Sequence, residues 1–337
     1  MPQDDKAVGF VFGSSMAPEH LVPLAVSADD VGIDEIWFSE DCFFTGGISA
    51  AAAALASTQR VKVGLGVVSA MLRQPALLAM EVATMARAFP GRLRPGIGLG
   101  VPAWLRQLGR EPSSPVTALT ETVTALGTLL AGGRVDSVGK YHSFHGVALE
   151  HPPTTPVPIH MGVVGPRMLR LSGQLAGGSI LSVCAGAEYV RWARDQVDVG
   201  RQEAGRDDPH RITAFAIYAV DHDRDAARAQ VRAQLGFYLG AGGPNAITDV
   251  QGISEPLREM IVRGGSGAVT REMPDSWIDE LTVSGTPEDC AERIERLLSS
   301  GADSVALFPA ASEGITRAVP VTAREVLPLL TARGSRR

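Results

Sequence analysis

Cysteine is scarce in this chain, and the spacing of the few cysteines excludes two kinds of protein. The 337 residues include three cysteines, which lie far apart at Cys42, Cys184 and Cys290. They fit neither the close pairs of a zinc site nor the even number of a disulfide framework. We therefore expect three free thiols that are buried or half-buried.

Long hydrophobic runs and an excess of basic charge are also missing. No apolar stretch approaches the roughly 20 residues that cross a bilayer, and the opening run MPQDDKAVGF lacks the pattern of a signal peptide. The formal net charge is −6 without a basic patch, which argues against a nucleic-acid partner. We predict a cytoplasmic protein that acts on a small molecule.

Several catalytic signatures are absent as well. The seven histidines form no HxxxH or HxH pair, so a metal site is not expected. The sequence contains neither the glycine-lysine signature of a P-loop nor the GxSxG elbow of an α/β-hydrolase. These absences disfavour nucleotide hydrolysis and serine-dependent hydrolysis.

What the sequence does contain is a repeated alternation of strand and helix. About eight short apolar segments are each followed by an amphipathic helical stretch, which indicates parallel strands joined by helical crossovers. Such units form an open doubly wound sheet or a closed barrel. Their number and the chain length favour an α/β fold of the (β/α)8 TIM barrel type, with functional residues on the loops after the strands. The predicted strands cover residues 7–12, 36–38, 61–69, 93–97, 157–161, 179–183, 212–220 and 304–308.

Two segments interrupt the alternation within a single predicted domain over residues 1–337. Residues 135–149 are polar and punctuated by glycine, which predicts a hairpin excursion. Residues 240–276 are rich in glycine and too long for a plain connection, so we expect an irregular insertion or lid there. Thr286 and Asp289 have the spacing of a capping box that opens a helix.

Residues 156–178, PVPIHMGVVGPRMLRLSGQLAGG, are the most informative stretch. They predict a buried strand, a glycine-bracketed turn and a helix. Gly162 and Gly165 bracket two valines, and Pro166 occupies the first helical position. Such a turn directs unpaired backbone N–H groups, at the positive end of a helix, into one small volume. The sequence therefore predicts a phosphate site.

The loop after the second predicted strand carries two adjacent carboxylates. It reads SEDCFF, with Glu40 and Asp41 beside two aromatic residues. A carboxyl group in such a place can transfer a proton. Alternatively, one of the pair caps the following helix and the other faces water.

Glycines and one histidine mark the ends of the next strands. Gly66, beside Val67, indicates a bulge, a close ligand approach or simple packing. Gly98 and Gly100 lie in GIGLG, which lacks the third glycine and the acidic residue of a dinucleotide fingerprint. We expect a rim loop that lets a ligand approach. His160 ends the fifth predicted strand and is either a ligand contact or a hydrogen-bonded rim or core residue.

Four segments, taken in order, resemble the luciferase-like superfamily of flavin and deazaflavin oxidoreductases. The resemblance spans nearly the whole chain. The run GVVGPRML is similar to the branch that uses coenzyme F420, which includes methylenetetrahydromethanopterin reductase and F420-dependent glucose-6-phosphate dehydrogenase. The matching segments are residues 32–40, 73–76, 158–169 and 284–288.

This resemblance implies a bacterial-luciferase-like barrel with an insertion near the seventh strand, and a homodimer by analogy with its relatives. It implies that Gly66 and Val67 form a non-prolyl cis peptide behind a deazaflavin ring. It also implies that the turn after the fifth strand holds the phosphate of F420. The predicted cofactor contacts are Ser39, Gly66, Val67, Gly98, Gly100, His160, Gly162, Val163, Val164, Gly165 and Pro166.

The sequence departs from the branch at two places that matter for the reaction. The sugar-phosphate dehydrogenases carry Ser-Asp-His where this chain has Ser39, Glu40 and Asp41, and an acid where it has Val101. We therefore expect a reductase that transfers a hydride to an activated C=C, C=N or carbonyl bond, with Asp41 or Glu40 as the acid. The alternatives are an FMN-dependent monooxygenase and a non-catalytic cofactor-binding barrel.

Overall fold

The computed structural model describes residues 6–310 and 314–334, and its strands form one parallel sheet and one small antiparallel pair. Most strands of the parallel sheet are short, and their side chains are almost entirely buried, as expected for a sheet covered by helices on its outer face. The strands are β1 (Ala7–Phe12), β2 (Glu35–Phe38), β3 (Lys62–Leu65), β4 (Val68–Ser69), β5 (Leu93–Arg94), β6 (Gly96–Gly98), β7 (Val135–Val138), β8 (Ser143–Val147), β9 (His160–Gly162), β10 (Gly178–Leu181), β11 (Arg211–Val220), β12 (Val283–Gly285) and β13 (Ser304–Pro309).

The parallel sheet closes into a barrel. Two of its eight strand positions are each divided in two, the third into β3 and β4 and the fourth into β5 and β6. Because β3 pairs with β5 and β4 pairs with β6, the third and fourth strand positions are neighbours along their whole length. The order continues through β9, β10, β11 and β13, which pairs with β1. The predicted (β/α)8 barrel is confirmed.

The helices surround the barrel, and several begin where the sequence indicates. Proline occupies the first turn of four of the longer ones, and Thr286 and Asp289 form the predicted capping box. The helices are α1 (Leu21–Asp30), α2 (Gly47–Ser57), α3 (Pro75–Ala88), α4 (Pro102–Gln107), α5 (Pro115–Leu130), α6 (Pro166–Leu175), α7 (Ala187–Glu203), α8 (Arg224–Gly242), α9 (Ala246–Val250), α10 (Ser254–Glu272), α11 (Asp275–Leu281), α12 (Pro287–Ser299), α13 (Ile315–Val321) and α14 (Leu327–Gly334), with a 3₁₀ turn at Pro18–His20 and a π-helical turn at Thr322–Val326.

The predicted hairpin excursion is present as the antiparallel pair β7 and β8. The expected irregular structure of residues 240–276 was wrong, because this segment is mostly helical, whereas its role as an insertion or lid stays a prediction. It contains the end of α8, then α9, α10 and the start of α11. Gly240 packs closely on a helix, since a Cβ there would lie 2.5 Å from Ser266 Cβ, and so does Gly236, just before the segment, where a Cβ would lie 2.1 Å from Thr270 Oγ1. Gly243 and Gly252 have positive φ between the helices. Within α10, Gly264 and Gly265 have non-helical backbone angles and interrupt the helix.

Large side chains fill the barrel interior where glycine leaves room for them. The Trp37 ring lies 5.7 Å from Phe215 and 5.9 Å from His160, centroid to centroid. A Cβ on Gly64 would come within 2.1 Å of the Trp37 ring. The interior is therefore a packed core rather than a channel.

A buried carboxylate ties several strands together near the start of β2. Glu35 accepts hydrogen bonds from Arg211 Nη2 at 2.9 Å, Ser304 Oγ at 2.7 Å and Trp37 Nε1 at 3.2 Å. Arg94 Nε lies 3.8 Å from the same carboxylate. These groups come from β2, β5, β11 and β13, so one side chain links four strands.

Within the described residues, no helix is long and apolar enough to cross a membrane.

Candidate active site

The loop after β2 holds its two carboxylates in different ways. Glu40 forms a two-pronged ion pair with Arg73, with Nη2 to Oε2 at 2.9 Å. Its Oε2 also accepts the backbone N–H of Gly47 at 2.8 Å, in the first turn of α2. The Glu40 side chain is only 11% exposed. Glu40 thus fastens the loop to a helix start, which is the capping role left open by the sequence.

Asp41 is held by a neutral donor. Ser14 Oγ donates to Asp41 Oδ2 at 2.6 Å, and the Ser14 backbone N–H donates to Ser39 Oγ at 2.9 Å. Within the described part of the chain, no cation pairs with the Asp41 carboxylate. Phe43 and Phe44, which follow, are 66% and 59% exposed. Asp41 is therefore half-buried, oriented and free of a fixed counter-ion.

The Gly66–Val67 peptide is cis, as the resemblance implied. It separates β3 from β4, and the Val67 side chain lies against the two neighbouring strands. A Cβ on Gly98 would lie 2.5 Å from Val67 Cγ2, and one on Gly162 would lie 2.9 Å from Val67 Cγ1. The glycines at 98 and 162 therefore make room for Val67. The bulge brings together predicted site residues from barrel strands three, four and five.

Gly100 completes the turn after β6. Its φ is +89°, and a Cβ there would lie 2.9 Å from Ser69 Oγ. Ser69 Oγ in turn donates to the Leu99 carbonyl at 2.8 Å. Only glycine combines this backbone with so close a neighbour.

The turn after β9 leads directly into α6. Gly165 is the N-cap, and its carbonyl accepts the N–H groups of Met168 and Leu169 at 3.0 and 2.9 Å. Pro166 brings no N–H to the first turn. A Cβ placed on Gly165 would meet nothing within 4 Å. The space in front of the helix is therefore open.

Of the backbone N–H groups in this turn, one forms a hydrogen bond within the fold and two are left free by the described residues, beside the open space. The Val163 N–H donates to the Ile180 carbonyl at 3.3 Å. The N–H groups of Val164 and Gly165 have no hydrogen-bond partner among residues 6–310 and 314–334. Free N–H groups at the start of a ten-residue helix attract an anion. The arrangement fits the predicted phosphate site.

One supporting residue was missed by sequence reasoning. The Tyr189 hydroxyl, on α7, donates to the Val164 carbonyl at 2.6 Å. Tyr189 is buried, and burial raises the pKa of its phenol, so it stays a donor. Nothing in the sequence around Tyr189 distinguishes it from a core tyrosine, because its partner Val164 lies 25 residues earlier, in the turn before α6.

His160 does not lie where the sequence placed it. It begins β9 rather than ending a strand, because Pro158 cannot donate to a sheet ladder and delays pairing. The ring is 1% exposed and packs on Trp37 in the barrel interior, two residues before the rim turn at Gly162. Burial and the charges of Arg94 and Arg211 lower its pKa to about 3, so the imidazole is neutral.

A helix start with free backbone N–H groups, the cis bulge and a half-buried carboxylate thus lie at one rim of a closed barrel. A model of the luciferase-like monooxygenase family matches residues 6–304. The chain therefore belongs to the luciferase-like monooxygenase family.

Two curated relatives match over most of their length. The 5,10-methylenetetrahydromethanopterin reductase of Archaeoglobus fulgidus is 28% identical over 312 residues, which cover 90% of this chain and 93% of the relative. The F420-dependent glucose-6-phosphate dehydrogenase of Microbacterium testaceum is 28% identical over 301 residues, covering 84% and 85%.

A solved structure agrees with the fold. The coenzyme F420-dependent tetrahydromethanopterin reductase of Methanopyrus kandleri superposes with a TM-score of 0.83 at 23% identity, covering 96% of this chain and 99% of that one.

Proposed function

We propose that this protein is a coenzyme F420-dependent oxidoreductase that works chiefly as a reductase of an activated C=C, C=N or carbonyl bond. The observation that carries the proposal is the open turn at the start of α6, with its unpaired N–H groups at Val164 and Gly165. The name of the curated F420-dependent glucose-6-phosphate dehydrogenase supports this cofactor, and that of the curated methylenetetrahydromethanopterin reductase supports reduction.

The residues around the turn fit a phosphate-bearing cofactor. The backbone of residues 162–165 would hold the phosphate, with Tyr189 fixing the Val164 carbonyl from behind. The Gly66–Val67 bulge, whose Val67 side chain packs over Gly98 and Gly162, would lie behind a flat ring. When bound, reduced F420 supplies a hydride from its deazaflavin ring. The protein contributes position, exclusion of water and a proton.

We assign the proton to Asp41 rather than to Glu40. Among the described residues, Asp41 has only Ser14 as a side-chain partner, whereas the Glu40 carboxylate binds Arg73 and the Gly47 N–H. A carboxyl group that gives up its proton must be able to change charge without breaking an ion pair. The absence of a histidine after Glu40, and of an acid at Val101, disfavours sugar oxidation and favours reduction.

Titration with each cofactor tests this proposal. We expect F420 to bind and FMN to bind at least tenfold more weakly, measured by fluorescence quenching. Enzyme with reduced F420 should then oxidise the cofactor in the presence of an enone, an imine or a carbonyl compound. Tight FMN binding without F420 binding would make the protein a flavin monooxygenase. Binding of F420 without turnover of any of the three classes would favour a non-catalytic barrel.

A further inference from the structure

One face of α8 lies against the C-terminal rim of the barrel. Gln234 and Tyr238 are four residues apart and share that face. Gln234 lines a cavity with Gly13 and Phe308, at the ends of β1 and β13. The Tyr238 ring packs edge-on against Phe308, with centroids 6.4 Å apart. The two polar side chains are thus presented at the barrel mouth by the segment that leaves the barrel after β11.

Tyr238 lies close to loops from opposite sides of the barrel. Asp41 follows β2 and Cys184 follows β10, and these are the second and sixth of eight strand positions. Burial first, and then the nearby Asp41 and Cys184, raise the pKa of Tyr238 to about 12. The ring contact with Phe308, near the end of β13, places Tyr238 at the barrel mouth. Its phenol keeps its proton at any physiological pH.

Both side chains have polar atoms that the protein leaves unused. Gln234 Oε1 is buried and has no hydrogen-bond partner within the described residues. The Tyr238 hydroxyl likewise makes no hydrogen bond in this part of the chain. Since nearly all buried polar groups in proteins are paired, the unpaired Gln234 oxygen indicates a ligand position. Tyr238 is half-buried on the same helix face, so its hydroxyl is accessible to the same ligand.

We propose that Tyr238 and Gln234 form the substrate-recognition face of the enzyme. Tyr238 donates a hydrogen bond to an acceptor atom of the substrate, a carbonyl oxygen or an imine nitrogen joined to the carbon that is reduced. The Gln234 amide binds a polar group next to that acceptor. Negative charge develops on the acceptor atom during reduction, and a fixed donor stabilises it there. This inference rests on the proposed function and narrows its substrate class.

Two small probes separate the roles of the two residues. Cyclohex-2-enone offers an acceptor alone, and 2-pyridone offers an acceptor beside a donor. Each is titrated calorimetrically against protein saturated with oxidised F420. We expect Tyr238→Phe to weaken binding of both probes by roughly five- to tenfold, as for a lost neutral hydrogen bond. Gln234→Leu should weaken only 2-pyridone. Tyr141→Phe, whose hydroxyl bonds to Ser113 and Ser114, is the matched control and should change neither.

Titration of F420 into each variant comes first and should give unchanged affinity. Wild-type protein that fails to bind F420 overturns both the proposed function and this inference. Wild-type protein that binds F420 but neither probe overturns the inference alone. So does a Tyr238→Phe variant that binds both probes as tightly as wild type.

Discussion

The neighbouring carboxylates of the β2 loop are held so differently that single amide substitutions separate their roles. Asp41→Asn removes the proposed proton donor but keeps the shape that accepts the Ser14 hydroxyl. We expect turnover with reduced F420 to fall by about 10²-fold or more, the usual contribution of a general acid. The melting temperature should stay within about 1 °C of wild type. Steady-state kinetics and thermal unfolding on the same sample check both expectations.

Glu40→Gln should lower the stability of the protein more than its turnover. It weakens the pair with Arg73 and the bond to Gly47, so we expect a loss of about 1–3 kcal/mol in the free energy of unfolding. Residual turnover should remain well above that of Asp41→Asn. If Glu40→Gln were as stable as wild type but inactive, the assignment of the acid would pass to Glu40.

The sequence could predict this carboxylate pair but not its division of roles. Two acids beside aromatics on a rim loop are visible in one short stretch. Arg73, which takes up Glu40, lies 33 residues further on, and Ser14, which orients Asp41, lies 27 residues earlier. His160 shows the same limit, because a strand that starts three residues late changes a rim position into a core position.

The start of α6 is the element on which cofactor binding depends. Gly165→Val places a branched side chain in the open space before the helix, where a Cβ has no neighbour within 4 Å, and its φ of −81° suits any residue. We expect F420 affinity to fall by at least tenfold while the unfolding transition is unchanged. Gly165→Ala is the graded control and should show a smaller loss. Equal F420 affinity in wild type and Gly165→Val would remove the phosphate role.

Gly162 is a poorer place for the same test. A Cβ there would strike Val67, so a substitution disturbs the cis bulge as well as the turn. The sequence shows both glycines but not this difference, because Val67 belongs to another strand.

The capping box of α12 gives a pH-dependent contribution to stability. Hydrogen bonds from Arg224, ahead of all other causes, lower the pKa of Asp289 from 3.8 to about 2. A carboxylate with a lowered pKa in the folded state stabilises the fold above about pH 4, and this contribution fades as the pH falls toward 2. We expect Asp289→Asn to be about 0.5–1 kcal/mol less stable than wild type at pH 7. The difference should shrink below pH 4 in denaturant titrations.

Glu288→Gln is the matched control for that series. It removes a charge from the same helical turn but not the partner of Arg224, so its stability difference from wild type should be smaller at pH 7. A difference for Asp289→Asn that stays constant from pH 7 to pH 2 would contradict the ion-pair explanation.

Across the whole molecule, the repeated strand–helix units predicted the barrel correctly. The glycine content of residues 240–276, in contrast, led to the wrong prediction of irregular structure. Counting strand and helix alternations gives eight units regardless of where each strand is broken. Glycine is typical both of loops and of close contacts between helices, and only the residue packed against it shows which of the two applies. Gly240, like Gly236 just before the segment, lies against α10, a partner that no local pattern reveals.

Glu35 is the residue through which barrel closure can be tested. It links four strands from a position with no exposed surface, and both arginines beside it are less than one-fifth exposed. Glu35→Gln removes the negative charge next to two buried guanidinium groups. We expect a loss of about 3–5 kcal/mol in the free energy of unfolding, as for a broken buried ion pair. Ser304→Ala, which deletes one hydrogen bond to the same carboxylate, should cost about 1 kcal/mol. If Glu35→Gln were no less stable than Ser304→Ala in denaturant unfolding, the charge of Glu35 would not be needed for stability. That result would contradict this explanation.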